Sequence, residues 1–123
     1  MDHSPRFLAL CEAARARVAE IEIDGLLARQ RSGVALRLVD VREEAEWNAG
    51  HVPGAEHLCK GILERDVERA IPDAGTEVVL YCGGGYRSVL AADAMRQMGY
   101  TNVRSLLGGW RAWRARDLPV ERP

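Results

Sequence analysis

The residues with the most evident chemistry are Cys82-Gly83-Gly84-Gly85-Tyr86-Arg87-Ser88, a thiol, three glycines, a guanidinium and a hydroxyl in one short stretch. Before them, Val78-Val79-Leu80-Tyr81 is an apolar, β-branched run of the kind found in interior strands. After them, Ser88 to Met98 carries apolar residues at 90, 91, 94, 95 and 98, one face of a helix. A cysteine at a strand-to-helix junction faces unpaired backbone N–H groups and the positive end of the helix, both of which favour a thiolate. Successive glycines allow positive φ values and a tight turn, so that several N–H groups converge on one point, here the Cys82 sulfur. A free thiol titrates near about 8.5, so a drop of about two units makes it mostly ionised at neutral pH. Arg87 is placed to hold an anionic substrate or leaving group, and Ser88 can add a hydroxyl donor.

Other readings of the same loop stand beside this one. A glycine-rich turn can be only a tight connection, and a cysteine after a buried strand only a small hydrophobe. A Cys-His hydrolase needs His51 or His57 brought in by the fold, since no histidine lies near Cys82 in sequence. Gly83, Gly85 and Ser88 approximate a dinucleotide fingerprint, but the next strand ends without an acidic residue, and no lysine completes a phosphate loop.

The remaining elements must position this loop. Ser4-Pro5 is a helix start, and Phe7, Cys11, Ala14, Val18 and Ile21 follow at steps of three and four. This opening helix either docks on the domain's own sheet or offers a partner face. A strand over 20–23 leads to Asp24 as N-cap of a helix through Arg31, closed by Gly33. Then come a strand over 36–41, a helix over 43–49, a short strand over 56–58, a helix over 61–70, and a turn at Ile71-Pro72-Asp73-Ala74-Gly75. Val103 to Leu106 is a last strand, and Gly108-Gly109 opens a short helix over Trp110 and Trp113. Alternating strands and helices predict an α/β fold, a mostly parallel sheet with helices on both faces, whose site lies at the carboxyl ends of the strands.

The 123 residues fit one domain, read as an amphipathic helix over 1–19 and an α/β unit over 20–123. Seventeen basic against eighteen acidic residues give a net charge of -1, which points to neither nucleic acid nor an anionic membrane. The N-terminus lacks a basic region followed by a long apolar run, so neither a signal peptide nor a membrane span is expected. Cys11, Cys59 and Cys82 are widely spaced, with no C-x-x-C pair, which predicts reduced thiols in a cytoplasmic setting and no metal.

The chain resembles the single-domain rhodaneses, the thiosulfate sulfurtransferase family, from Ile21 onward. The resemblance rests on Asp40-Val41-Arg42 with Glu46-Trp47, on Gly50-His51-Val52-Pro53-Gly54-Ala55, and on Cys82 to Ser88 followed by Gly108-Gly109-Trp110, in that order. It implies the three-layer rhodanese fold with a five-stranded sheet, and sulfur transfer through a persulfide on Cys82 without a metal or organic cofactor. The loop backbone then cradles the terminal sulfur, with Gly83, Gly84, Gly85, Tyr86, Arg87 and Ser88 binding substrate. The implied partners are a small sulfur donor, thiosulfate or a persulfide, and a thiol or protein-thiol acceptor, with the chain a monomer or homodimer. A persulfide carrier serving a protein partner is the alternative. Related phosphatases and arsenate reductases have a loop one residue longer than Cys82 to Arg87, since a tetrahedral oxyanion needs a wider cradle. The bare Gly83-Gly84 stands where side chains often select the donor.

Asp40 and Arg42 are expected to brace loops through a buried ion pair, and Trp110 to pack beside the active loop with Trp113 in the core. Glu46 has the wrong sign for the substrate-binding arginine that some relatives place there. His51 is expected to be hydrogen-bonded in a rigid turn. Cys59, after a strand, is either a packing residue or a resolving thiol for Cys82.

Overall fold

The computed structural model describes residues 3–123. Five parallel strands form one sheet in the order β1-β5-β4-β2-β3: β1 Ala19–Ile21, β2 Leu36–Asp40, β3 Glu56–His57, β4 Glu77–Tyr81 and β5 Val103–Leu106. The helices are α1 Pro5–Arg15, α2 Ile23–Arg31, α3 Glu44–Ala49, α4 Leu63–Ala70, α5 Arg87–Gln97 and α6 Gly109–Ala115. The expected α/β architecture is present, with the sheet wholly parallel.

The central strand explains the two-faced core. All five residues of β4 are buried, and its side chains alternate between the faces. Val78, Leu80 and then Cys82 pack with Leu63 and Val67 of α4 and Ala91, Ala92 and Met95 of α5. Val79 and Tyr81 pack on the other face with Ile23 and Leu26 of α2 and Trp113 of α6. Period-two alternation therefore puts the thiol on the side of α5, the helix that follows it.

Several boundaries differ from expectation for identifiable reasons. α2 begins at Ile23 with Glu22 as N-cap, not at Asp24. Ile23 is buried in the core, so the chain must already be turning there, and the Asp24 carboxylate pairs with Arg116 at 2.8 Å instead of capping. The helix expected from Gly61 is a 3₁₀ turn over Lys60–Ile62 followed by α4, because the Lys60 N–H bonds to the Val41 carbonyl and holds that end to the sheet. Ser4 is the N-cap of α1 with Pro5 in the first turn, but its hydroxyl makes no capping bond.

The opening helix does not lie directly on the sheet. It packs across α5 through the buried Cys11 and Ala14, forming an outer layer. Arg17, just beyond it, is tied to Asp93 of α5 by paired bonds of 3.1 and 2.8 Å, and Arg96 reaches the same carboxylate at 3.1 Å. Ile21, the last position of the expected stripe, belongs to β1. No described helix is long and apolar enough to cross a membrane.

The Asp93 carboxyl is held down to about 2, first by its bonds to Arg17 and then by Arg96. A carboxyl whose folded value lies below its unfolded value stabilises the fold above the unfolded value, near about 3.9, and loses that contribution as pH falls through the folded one. The stability difference between wild type and Asp93→Asn, read from urea midpoints, is expected to be constant above about pH 5 and to shrink between about pH 4 and 2. A difference that persists unchanged at pH 2 disproves the assignment.

Candidate functional site

Cys82 leaves the carboxyl end of the central strand and is 1% exposed, at the floor of a pocket of about 540 Å³. The Gly85 N–H donates to its sulfur at 3.2 Å and the Ser88 N–H at 3.3 Å. Gly85 has φ +95°, a left-handed conformation that aims its amide inward and that glycine alone adopts freely. Ser88 is fully buried, its hydroxyl 3.4 Å from the sulfur and 2.7 Å from the Ser105 hydroxyl on β5. Two amides and one hydroxyl therefore converge on the sulfur, where the glycine turn predicts such a convergence.

The loop carbonyls are fixed from the opposite side. The Trp110 N–H donates to the Cys82 carbonyl at 2.7 Å, and the Arg111 N–H to the Gly83 carbonyl at 2.9 Å. These are otherwise unpaired donors at the start of α6. They reach the loop because Gly109 carries no side chain: a Cβ there would stand 2.4 Å from the Cys82 carbonyl oxygen. These two bonds anchor the stretch from which the chain turns to bring the Gly85 amide onto the sulfur.

The loop arginine is engaged. Arg87 donates to Glu46 through both terminal nitrogens at 2.8 and 3.1 Å. The pair, led by this hydrogen bonding, holds Glu46 below the usual carboxylate range and raises Arg87 further. Glu46 also accepts the Glu43 N–H in a capping box at the start of α3. The residue expected to hold an anion is thus neutralised by one whose sign had looked unsuited to this place.

Asp40 and Arg42 form the expected buried pair, the closest contact at 2.7 Å, with side chains 0% and 3% exposed. Burial pulls the Arg42 guanidinium down, but the bonds to Asp40 more than restore it, so its net shift is upward. Arg42 also donates to the Gly50 carbonyl at 2.7 Å and lies 4.6 Å from the Trp110 ring centre. Its own carbonyl accepts a hydrogen bond from His57 Nε2 at 2.7 Å. His51 stacks flat on Trp47 at 3.5 Å, its Nδ1 3.1 Å from the Val52 carbonyl. Trp110 sits beside the loop only through its backbone; its ring covers Arg42.

Four residues that line the pocket were not picked out from the sequence: His3, Phe7, Glu43 and Arg111. His3 and Phe7 meet Tyr86, at ring distances of 4.4 and 6.2 Å, so the start of the chain forms an aromatic wall of the pocket. Arg111 follows the Gly-Gly-Trp signature, which could have marked it. Cys59 is half-buried at the 3₁₀ turn and is not among the residues lining the pocket. Cys11 reaches the loop, its thiol donating to the Tyr86 carbonyl at 3.8 Å, and burial pushes it up while Arg15 opposes. Among the described residues no three His, Cys, Asp or Glu side chains converge to hold a metal.

The family model of the rhodanese-like domain matches residues 22–116. A sulfurtransferase of Allochromatium vinosum is 34% identical over 86% of this chain and 97% of its own length. A Bacillus subtilis protein named for a sulfur-carrier role, YrkF, is 29% identical over 78% of this chain, and the match spans 51% of that protein. Among solved structures, a Rhodopseudomonas palustris protein of unknown function, for which tyrosine phosphatase activity has been raised, superposes with a TM-score of 0.86 at 27% identity, covering 98% of this chain and 99% of that one.

The Gly109 contact supplies a test of the loop's support. Gly109→Ala is expected to cost about 2 to 4 kcal/mol in denaturant unfolding, from the left-handed backbone and the collision with Cys82. Alkylation of Cys82 by iodoacetamide should change in rate in the folded variant. Wild-type stability and an unchanged rate would show that α6 does not shape the loop.

Proposed function

The chain belongs to the rhodanese-like family, and from that premise we propose that it moves sulfane sulfur through a persulfide on Cys82. The observation that carries this reading is the pair of amides at 3.2 and 3.3 Å from a buried thiol at the floor of an open pocket. The relatives' names, a sulfurtransferase and a sulfur carrier, support the same chemistry.

With thiosulfate as the simplest donor, the Cys82 thiolate attacks the outer sulfur and the S–S bond breaks with its electron pair on the departing sulfite. The loop amides and the Ser88 hydroxyl stabilise the resulting persulfide anion. A thiolate then attacks the outer sulfur of that persulfide, takes it, and returns Cys82 to its starting state. Cyanide takes the same sulfur as thiocyanate in an assay, while a cellular thiol or protein cysteine fits a physiological acceptor. Gly83 to Arg87 form the cradle, and Asp40, Arg42 and Trp110 hold its supports.

The carrier reading is favoured where transfer to a protein thiol outpaces exchange with cyanide. The phosphatase reading, raised for a structural neighbour, is disfavoured by the short cradle and by an Arg87 already occupied with Glu46. Intact mass after incubation with thiosulfate or a persulfide is expected to gain one sulfur atom in wild type and none in Cys82→Ser, with no hydrolysis of p-nitrophenyl phosphate by either. Absence of added sulfur from every donor, or phosphate release that depends on Cys82, would overturn the proposal.

A further inference from the structure

The pocket over Cys82 is larger and less positive than a small dianion needs. The five heavy atoms of thiosulfate fill little of a space of about 540 Å³. Among the described residues, the charged side chains that line it are Arg87 and Arg111, against Glu43 and Glu46. Arg87 and Glu46 cancel as a two-bond pair. No carboxylate of the described residues pairs with Arg111.

The bare glycines place both guanidinium groups. A Cβ on Gly83 would stand 3.1 Å from Arg87 Nη2, and one on Gly84 would stand 3.5 Å from Arg111 Nη1. Arg111 therefore lies over the middle of the loop, its backbone N–H bonded to the Gly83 carbonyl. On another side of the pocket stand Phe7 and Tyr86, joined by His3. Among the described residues, a ligand reaching Cys82 thus meets one cation bonded to no carboxylate, Arg111, and a flat apolar surface, with the Glu43 carboxylate also on the lining.

Building on the Cys82 persulfide reading, we infer that the preferred donor is the persulfide of a small organic thiol bearing a carboxylate. The carboxylate docks on Arg111, and the carbon chain lies along Phe7 and Tyr86. The Cys82 thiolate attacks the outer sulfur of R–S–SH, the S–S bond breaks with its electron pair on the inner sulfur, and R–S⁻ leaves to take a proton from solvent. Cys82 keeps the outer sulfur as S–SH, so atoms and charge balance without an added oxidant or reductant.

The test measures kcat/KM for loading Cys82 from three donors: the persulfide of 3-mercaptopropionate, the persulfide of 2-mercaptoethanol, and thiosulfate. In wild type the carboxylate-bearing persulfide is expected to exceed each of the others by about ten-fold or more, consistent with one charge-assisted bond. Arg111→Met is expected to lower its advantage over 2-mercaptoethanol persulfide by about ten-fold, mainly through KM, and Arg111→Lys to recover part of it. Phe7→Ala is expected to weaken both organic persulfides relative to thiosulfate. Thiosulfate as the best donor, or an Arg111→Met loss equal for all three, overturns the inference and leaves sulfur transfer standing. Failure of Cys82 to load from any donor overturns both.

Discussion

The approach of α6 to the active loop is the contact on which the site depends. Two N–H groups from the start of that helix hold the carbonyls of Cys82 and Gly83 and so fix the path of the chain that leads to Gly85. Gly85 completes the turn, and the amides that face the sulfur are set before any substrate arrives. Such preorganised donors incur no reorganisation cost when charge develops on sulfur. The whole arrangement requires a position without a side chain between helix and loop, which is the place of Gly109.

A second layer of constraint holds the loops around this one. The Asp40–Arg42 pair is buried, and removing two charges from water is offset only where every donor and acceptor is used. Here Arg42 binds Asp40 and the Gly50 carbonyl while Trp110 covers its face. The ends of β2, of the turn after α3 and of the start of α6 are thereby joined at one guanidinium. Tyr81 belongs to the same group: its hydroxyl accepts the Val52 N–H at 3.1 Å, and burial followed by the nearby Asp40 charge pushes its ionisation far upward, keeping it neutral.

The central strand, the glycine loop and the helix after it were legible because each rests on local pattern: an apolar run, a turn composition, a helical period. The buried Asp40–Arg42 pair was also within reach, two residues apart on one strand end. The Arg87–Glu46 pair was not, since the partners lie 41 residues apart and nothing in either neighbourhood announces the other. For the same reason the loop arginine read as an anion site, while Arg111 was not singled out. α1 showed its apolar stripe but not its destination, because periodicity states which face is buried and not against what. The early start of α2 reflects tertiary packing of Ile23 overriding a good capping residue at Asp24.

The position of β1 has a consequence for the order of folding. Ala19–Ile21 pairs only with Arg104–Leu106, near the other end of the chain, so its pairing awaits synthesis of nearly the whole domain. The α1 wall leads directly into that strand. During synthesis the strand bearing Cys82 can therefore pair with β2 while the thiol still lacks both α6 beneath its carbonyls and the docked edge strand. The enclosure of the nucleophile thus draws on contacts between segments far apart in sequence.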